Sequence, residues 1–152
     1  MTTEGPKTSR KDNAVNLFRQ QFNCSQAIFA AYRQEEKLDG ETALKLATVL
    51  GAGVACTGQG LCGAASGALL ALSMKHGRGD LASIHAKAKT YEIAQQFMAE
   101  FKRRQGSCMC EEILGVNIGT PEGHKKAQAA KLFETKCLDV VKSAADILDE
   151  LL

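Results

Sequence analysis

The sequence predicts an all-α fold, and three observations favour it. Hydrophobic residues make up 45% of the chain and aromatic residues only 5%, a balance that suits a helical core of Ala, Leu and Gly. There are only two prolines, and no long run of alternating β-branched residues is present. Apolar residues instead recur at helical spacing. We expect a compact single domain of about six to eight helices, residues 11–152, preceded by a flexible tail, residues 1–10.

The first helices are expected at about residues 9–21, 24–34 and 41–50. In "FNCSQAIFAAY", Asn23 is a candidate N-cap and Gln26 stands three residues later, which is the spacing of a capping box. This pattern places Cys24 at the first helical position.

A Gly-rich loop, residues 51–63, leads into the next helix, at about residues 63–76. Cys62 closes the loop directly before this helix. The apolar segment from Leu61 to Met74 is shorter than the roughly 18 residues that a membrane-spanning helix needs, so no membrane span is expected. Its GxxxG pair, Gly63 and Gly67, favours close packing of a second helix, within the chain or across a homodimer.

The C-terminal half is also expected to be helical, at about residues 80–105, 108–114 and 121–133 and in the C-terminal segment. Two of these segments carry an apolar stripe at helical spacing. The first stripe contains Ile84, Ala88, Tyr91, Ala94, Met98 and Phe101, and the second contains Cys137, Val141, Ala144, Leu148 and Leu151.

Three start signals precede the last helices. Ser107 is a candidate N-cap, which would put Cys108 and Cys110 in the first turn. Thr120 stands before Pro121, a strong start signal. Thr135 could cap the last helix, with Cys137 at its second position.

Charge and cysteine content limit the function classes. A net charge of +2 does not indicate nucleic-acid binding, and no nucleotide is expected because no Gly-Lys-Ser/Thr follows the glycine loop. The N-terminus lacks the apolar stretch of a secretory signal. Six cysteines without such a signal predict a cytoplasmic protein whose thiols bind metal or carry out redox chemistry.

Four cysteines are predicted at helix N-termini: Cys24, Cys62, Cys110 and Cys137. Unpaired N–H groups and the positive end of the helix dipole stabilise anions there. A thiolate in such a position has a lowered pKa and is a better nucleophile or metal ligand. The same N–H groups can donate to the sulfurs of a thiolate-bound cluster.

These cysteines and their flanking residues resemble the C_GCAxxG_C_C family, whose redox activity is inferred largely from its cysteines. The matching pieces follow in order over roughly residues 14–152: "FNCSQAIFAAY", "CGAASGA", "GSCMCEEILG" and "CLDVVKSAADILDELL". The resemblance implies a mostly helical protein with four core positions, Cys24, Cys62, Cys110 and Cys137. Cys56 and Cys108 fall outside the pattern.

A related segment occurs in split-Soret cytochromes, where it is associated with an iron–sulfur cluster in addition to haem. The present chain has no CxxCH sequence, so no haem is expected. The resemblance therefore directs attention to a cluster rather than to haem.

Three chemistries stay open. The first is electron transfer with a redox partner protein through an iron–sulfur cluster of the 2Fe–2S or a similar type. The four core cysteines would bind this cluster, and the backbone at Gly60, Gly63 and Gly67 would approach it closely. The second is thiol–disulfide chemistry in an oxidoreductase or redox sensor. A thiolate at a helix N-terminus would attack a disulfide, and Cys56, Cys108 or Cys110 would resolve the mixed disulfide. The third is a non-redox binding module with structural zinc or packed free cysteines.

Overall fold

Residues 8–152 are described by a computed structural model and form eight α-helices, which confirms the predicted all-α class. None of the helices in this range has the length and hydropathy needed to cross a membrane. The helices are α1 (Arg10–Arg19), α2 (Cys24–Tyr32), α3 (Gly40–Ala47), α4 (Gly63–His76), α5 (Ala86–Gln105), α6 (Cys110–Leu114), α7 (Pro121–Ala129) and α8 (Lys136–Leu151), with a 3₁₀ helix, Thr48–Leu50, after α3.

The N-terminus of α1 falls inside the segment predicted as a tail. Ser9 caps this helix, because its Oγ accepts a hydrogen bond from the Asp12 N–H at 3.0 Å. Most of the predicted tail, residues 1–7, lies outside the described residues.

Two of the capping signals mark helix starts correctly. In α2, the Asn23 side chain accepts from the Gln26 N–H at 2.9 Å, and the Gln26 side chain accepts from the Asn23 N–H at 3.0 Å. In α7, Thr120 Oγ1 accepts from the Gly123 N–H at 3.0 Å. Both helices therefore begin where the sequence predicts.

Helix α5 begins later than predicted. The Asp80 carboxylate accepts hydrogen bonds from the Ser83 N–H at 2.7 Å and from Ser83 Oγ at 3.1 Å. This local turn competes with helical hydrogen bonding, and α5 starts only at Ala86.

The apolar stripe predicted for this helix is wrong in part. Ile84 lies before the helix and Tyr91 lies on it, yet they are 60% and 59% exposed. Phe101 is buried as predicted, and the other buried residues of the helix are Thr90 and Phe97. The rings of Phe97 and Phe101 are stacked with their centroids 5.7 Å apart.

The main core lies among α1, α2, α4, α5 and α8, which with α3 are called the bundle below. Helix α2 packs most closely against α4. A Cβ atom on Gly67 would lie only 2.6 Å from the Ser25 carbonyl oxygen, so glycine is needed there for the two backbones to approach.

A second, smaller hydrophobic cluster contains α6 and α7. We call residues 110–133 the cap. Its buried residues are Cys110, Ile118 and Ala127, and none of the major helix–helix contacts within residues 8–152 involves α6 or α7.

The cap joins the bundle at the glycine loop. Leu61 and Met109 form an antiparallel bridge. Beside it, the Cys62 N–H donates to the Cys108 carbonyl at 2.8 Å, and the Cys110 N–H donates to the Gly60 carbonyl at 3.0 Å.

Candidate functional site

A cavity of about 620 Å³ is lined by residues of both the bundle and the cap. Four of the six cysteines line it: Cys24, Cys62, Cys110 and Cys137. These are the four core positions of the sequence pattern, brought together from segments far apart in the chain.

All four cysteines lie at helix N-termini, as predicted. Cys24 is the first residue of α2, Cys62 occupies the N-cap position of α4, Cys110 is the first residue of α6, and Cys137 is the second residue of α8.

The predicted N-cap at Ser107 is wrong. Helix α6 begins at Cys110, with Met109 at the N-cap position. Because the backbone of residues 108–110 pairs with residues 60–62, Cys108 is not helical. Ser107 Oγ instead accepts from the Met109 N–H at 3.0 Å.

Thr135 does occupy the N-cap position of α8, but its side chain makes a different bond. Its hydroxyl donates to the Lys131 carbonyl at 2.9 Å, and no side-chain hydrogen bond caps the helix.

Cys24 is the cysteine whose surroundings stabilise a thiolate. The Cys62 thiol, which donates a hydrogen bond to its sulfur, is the largest cause that lowers the pKa of Cys24 to about 7. The N–H groups of Ala52, Ser25 and Cys24 itself also donate to the sulfur and act in the same direction, against the effect of burial. The surroundings of Cys24 therefore favour its thiolate.

The lowered pKa that is expected at a helix N-terminus is wrong for the other three cysteines. Donation to Cys24 and burial raise the pKa of Cys62. Burial, followed by the nearby Cys24, raises the pKa of Cys110 to about 11 and that of Cys137 to about 12. Burial is the largest cause at Cys110 and Cys137, whereas at Cys62 the largest cause is donation to Cys24, so the surroundings of all three cysteines favour the thiol.

A left-handed turn, residues 52–56, forms part of the cavity wall. Its five consecutive residues all have positive φ, between 52° and 70°: Ala52, Gly53, Val54, Ala55 and Cys56. Four of these are not glycine, and each costs about 1–2 kcal/mol in this conformation.

Hydrogen bonds hold this turn in place. The Ala55 N–H donates to the Val49 carbonyl at 2.6 Å, and the Gly60 N–H donates to the Gly53 carbonyl at 2.9 Å. The turn places the Ala52 N–H at the Cys24 sulfur. A Cβ atom on Gly53 would lie 2.9 Å from the Cys110 Cβ, so the turn packs directly against two of the cavity cysteines.

The three glycines predicted to contact a cofactor have different positions. Gly63 lines the cavity, and a Cβ atom there would collide with the Cys24 Sγ. Gly67 packs against Ser25 in the bundle, and Gly60 packs against the left-handed turn. Neither Gly60 nor Gly67 is part of the cavity lining.

Cys56 and Cys108 also lie outside the lining. Cys56 is exposed at the end of the left-handed turn. The half-buried Cys108 thiol donates to the Met98 carbonyl at 3.7 Å, and burial raises its pKa. Cys108 and Cys110, which form a CxC sequence, therefore have separate environments.

Much of the remaining lining is apolar, and sequence reasoning missed it. It includes Phe18 and Phe22 from the N-terminal part, Leu138 from α8, and Ile113, Leu114, Ile118 and Phe133 from the cap. No local motif marks these residues, because each approaches the cavity only through the packing of cap against bundle.

Within residues 8–152, no three Cys, His, Asp or Glu side chains converge closely enough to hold one metal ion. The four thiols instead line one cavity. This arrangement suits a ligand of several atoms better than a tetrahedral zinc ion, whose sulfur ligands lie about 2.3 Å from the metal.

Comparison with known proteins gives one match. A family model described as "Putative redox-active protein (C_GCAxxG_C_C)" matches residues 22–151. Searches of curated proteins and of solved structures returned no match.

Proposed function

Because the chain belongs to the C_GCAxxG_C_C family, we propose that it transfers electrons through an iron–sulfur cluster bound by Cys24, Cys62, Cys110 and Cys137. The observation that supports this proposal is the position of the four thiols around one cavity. Four thiolates are the usual ligand number for such clusters. When bound, the cluster would supply one-electron redox chemistry.

The residues present fit such a group. Cys24 has a pKa of about 7 and is the thiol most ready to bind first. The other three thiols must lose their protons on binding, so loading would release protons and become stronger as the pH rises. The N–H groups already directed at the Cys24 sulfur would stabilise its negative charge.

The apolar wall supports an electron-transfer function. Side chains such as Ile118 and Val140 are buried where they line the cavity and would keep water from the sulfurs. Burial and hydrogen bonding are the means by which a protein sets the reduction potential of a bound cluster. A redox partner protein would exchange electrons at this site. We also propose a cytoplasmic location, because cysteines that bind metal or carry out redox chemistry are typical of a reducing compartment.

Anaerobic purification tests this proposal. We expect a brown protein that contains iron and acid-labile sulfide and whose visible absorbance is bleached by dithionite. A colourless protein without iron, after expression with iron supplied and anaerobic handling, would contradict it.

A second function, thiol–disulfide exchange, is favoured by the contact between Cys24 and Cys62. The Cys24 thiolate would attack a partner disulfide and release one partner thiolate. Cys62, after losing its proton, would then attack the Cys24 sulfur and release the second, which leaves a Cys24–Cys62 disulfide and a reduced partner. In this proposal Cys62 is the cysteine that resolves the mixed disulfide, in place of Cys56, Cys108 or Cys110.

Mild oxidation of the metal-free protein tests the second function. We expect mass spectrometry of the digest to find a Cys24–Cys62 disulfide that dithiothreitol reverses, and we expect Cys108→Ser to leave its formation unchanged. A disulfide that joins other cysteines, or no disulfide, would exclude this exchange mechanism.

A further inference from the structure

The cavity has an aromatic part that the thiol site does not require. Three of the six phenylalanines in the chain line it: Phe18, Phe22 and Phe133. These three are half-buried, whereas the other three are buried in the bundle core. An aromatic ring that remains partly exposed while it lines a cavity can pack against a ligand.

One of these rings is held by a second ring. The Phe133 and His124 ring centroids are 5.3 Å apart, at an interplanar angle of 40°. Because His124 lies on α7 and Phe133 follows that helix, the cap itself fixes the orientation of this aromatic wall.

The cavity offers little to a charged ligand. The Asn23 side chain is already engaged, since it accepts from the Gln26 N–H and donates to the Thr48 carbonyl at 2.9 Å. Arg19 and Glu134 line the cavity with opposite charges, and both are exposed at its rim.

We infer that this cavity, called the chamber below, binds a small, uncharged aromatic ring compound beside the thiols. Its volume of about 620 Å³ falls within the roughly 300–1,000 Å³ typical of small-molecule sites. Its lining includes the rings of Phe18, Phe22 and Phe133, which favour an aromatic ring compound over an extended aliphatic chain. The inference goes beyond the proposed function.

The uncharged fluorescent probe N-phenyl-1-naphthylamine tests this inference on the protein as purified anaerobically. The chain has no tryptophan, so no tryptophan emission overlaps with excitation of the probe. We expect the fluorescence to saturate at one probe per chain. The anionic relative 1-anilinonaphthalene-8-sulfonate has the same rings plus a sulfonate. We expect its affinity to be at least about tenfold lower, because the apolar lining would remove water from the sulfonate and the one cationic lining residue, Arg19, is exposed at the rim. Equal affinities would overturn the inference.

Two substitutions that fill the chamber complete the test. Leu138→Phe and Ile113→Phe add volume inside the chamber, and each should weaken probe binding by about tenfold or more while the circular dichroism spectrum is retained. Leu81→Phe is the control, because Leu81 is 89% exposed and does not line the cavity. Unchanged affinity in both filled variants would overturn the inference.

The same samples separate this inference from the proposed function. Iron-containing protein that does not bind the probe would overturn the ring chamber and leave the cluster proposal intact. Iron-free protein that binds the probe in the manner described would support the chamber and count against the cluster.

Discussion

Gly63 and Cys24 occupy adjoining space at the centre of the site: a Cβ atom on Gly63 would overlap the Cys24 Sγ. The Gly63→Ala variant must therefore displace the sulfur or shift α2 away from α4. We expect it to lose most of the bound iron. Its free energy of unfolding should fall by about 1–3 kcal/mol, because the added methyl overpacks the contact.

Gly79→Ala is a matched control for this substitution. A Cβ atom at Gly79 has no other atom within 4 Å. Iron content and stability should therefore equal those of the unsubstituted protein. If Gly63→Ala keeps full iron content, the close approach of Gly63 to Cys24 is not needed for the site.

The reactivity of Cys24 should depend on pH with a midpoint near its pKa of about 7. In metal-free protein, the rate of alkylation by iodoacetamide, measured by mass spectrometry of the Cys24 peptide, should rise through that pH. In Cys62→Ala the midpoint should move upward, because the largest cause of the lowered pKa is removed while burial remains. A midpoint near the ordinary thiol value of about 8.5 in the unsubstituted protein would contradict this account of the site.

The left-handed turn should be strained at Val54, a β-branched residue with a φ of 68°. Val54→Gly removes that strain and should raise the free energy of unfolding by about 1 kcal/mol. Val49→Gly, at an exposed position in the 3₁₀ helix, should lower it by about 1 kcal/mol. Chemical denaturation of both variants measures the difference, and an equal loss of stability in the two would argue against strain in the turn.

Cofactor removal should loosen the cap more than the bundle. Cys110 belongs to the cap, whereas Cys24 and Cys62 belong to the bundle, so a group bound by all of them would join the two parts. In hydrogen exchange followed by mass spectrometry, amides of residues 110–133 should exchange faster after chelation of the metal, while amides of α2 and α4 stay protected. Equal changes in cap and bundle would show that the ligand does not join them.

The sequence predicts those parts of the fold that depend on local hydrogen bonds. The capping box of Asn23 and Gln26 places Cys24 correctly, and Thr120 with Pro121 places the start of α7. The start of α5 was missed because Asp80 forms a local turn that resembles a helix start.

The left-handed turn could not be predicted from residue preferences, which favour glycine at positive φ. The turn contains Ala52, Val54, Ala55 and Cys56, and it is held by packing against Cys110 and by backbone hydrogen bonds within residues 49–60. The aromatic lining of the chamber was missed for a related reason, since only folding brings Phe18 and Phe133 to the same cavity.

The central claim is that the four cavity thiols, and not the other two, hold the cofactor. The two cysteines of the CxC sequence allow the most direct measurement, because Cys110 lines the cavity and Cys108 does not. Iron and acid-labile sulfide per chain should be measured in anaerobically purified Cys110→Ser and Cys108→Ser. We expect Cys110→Ser to lose most of both and Cys108→Ser to retain the content of the unsubstituted protein. Equal loss in the two variants, or full retention in Cys110→Ser, would contradict the claim.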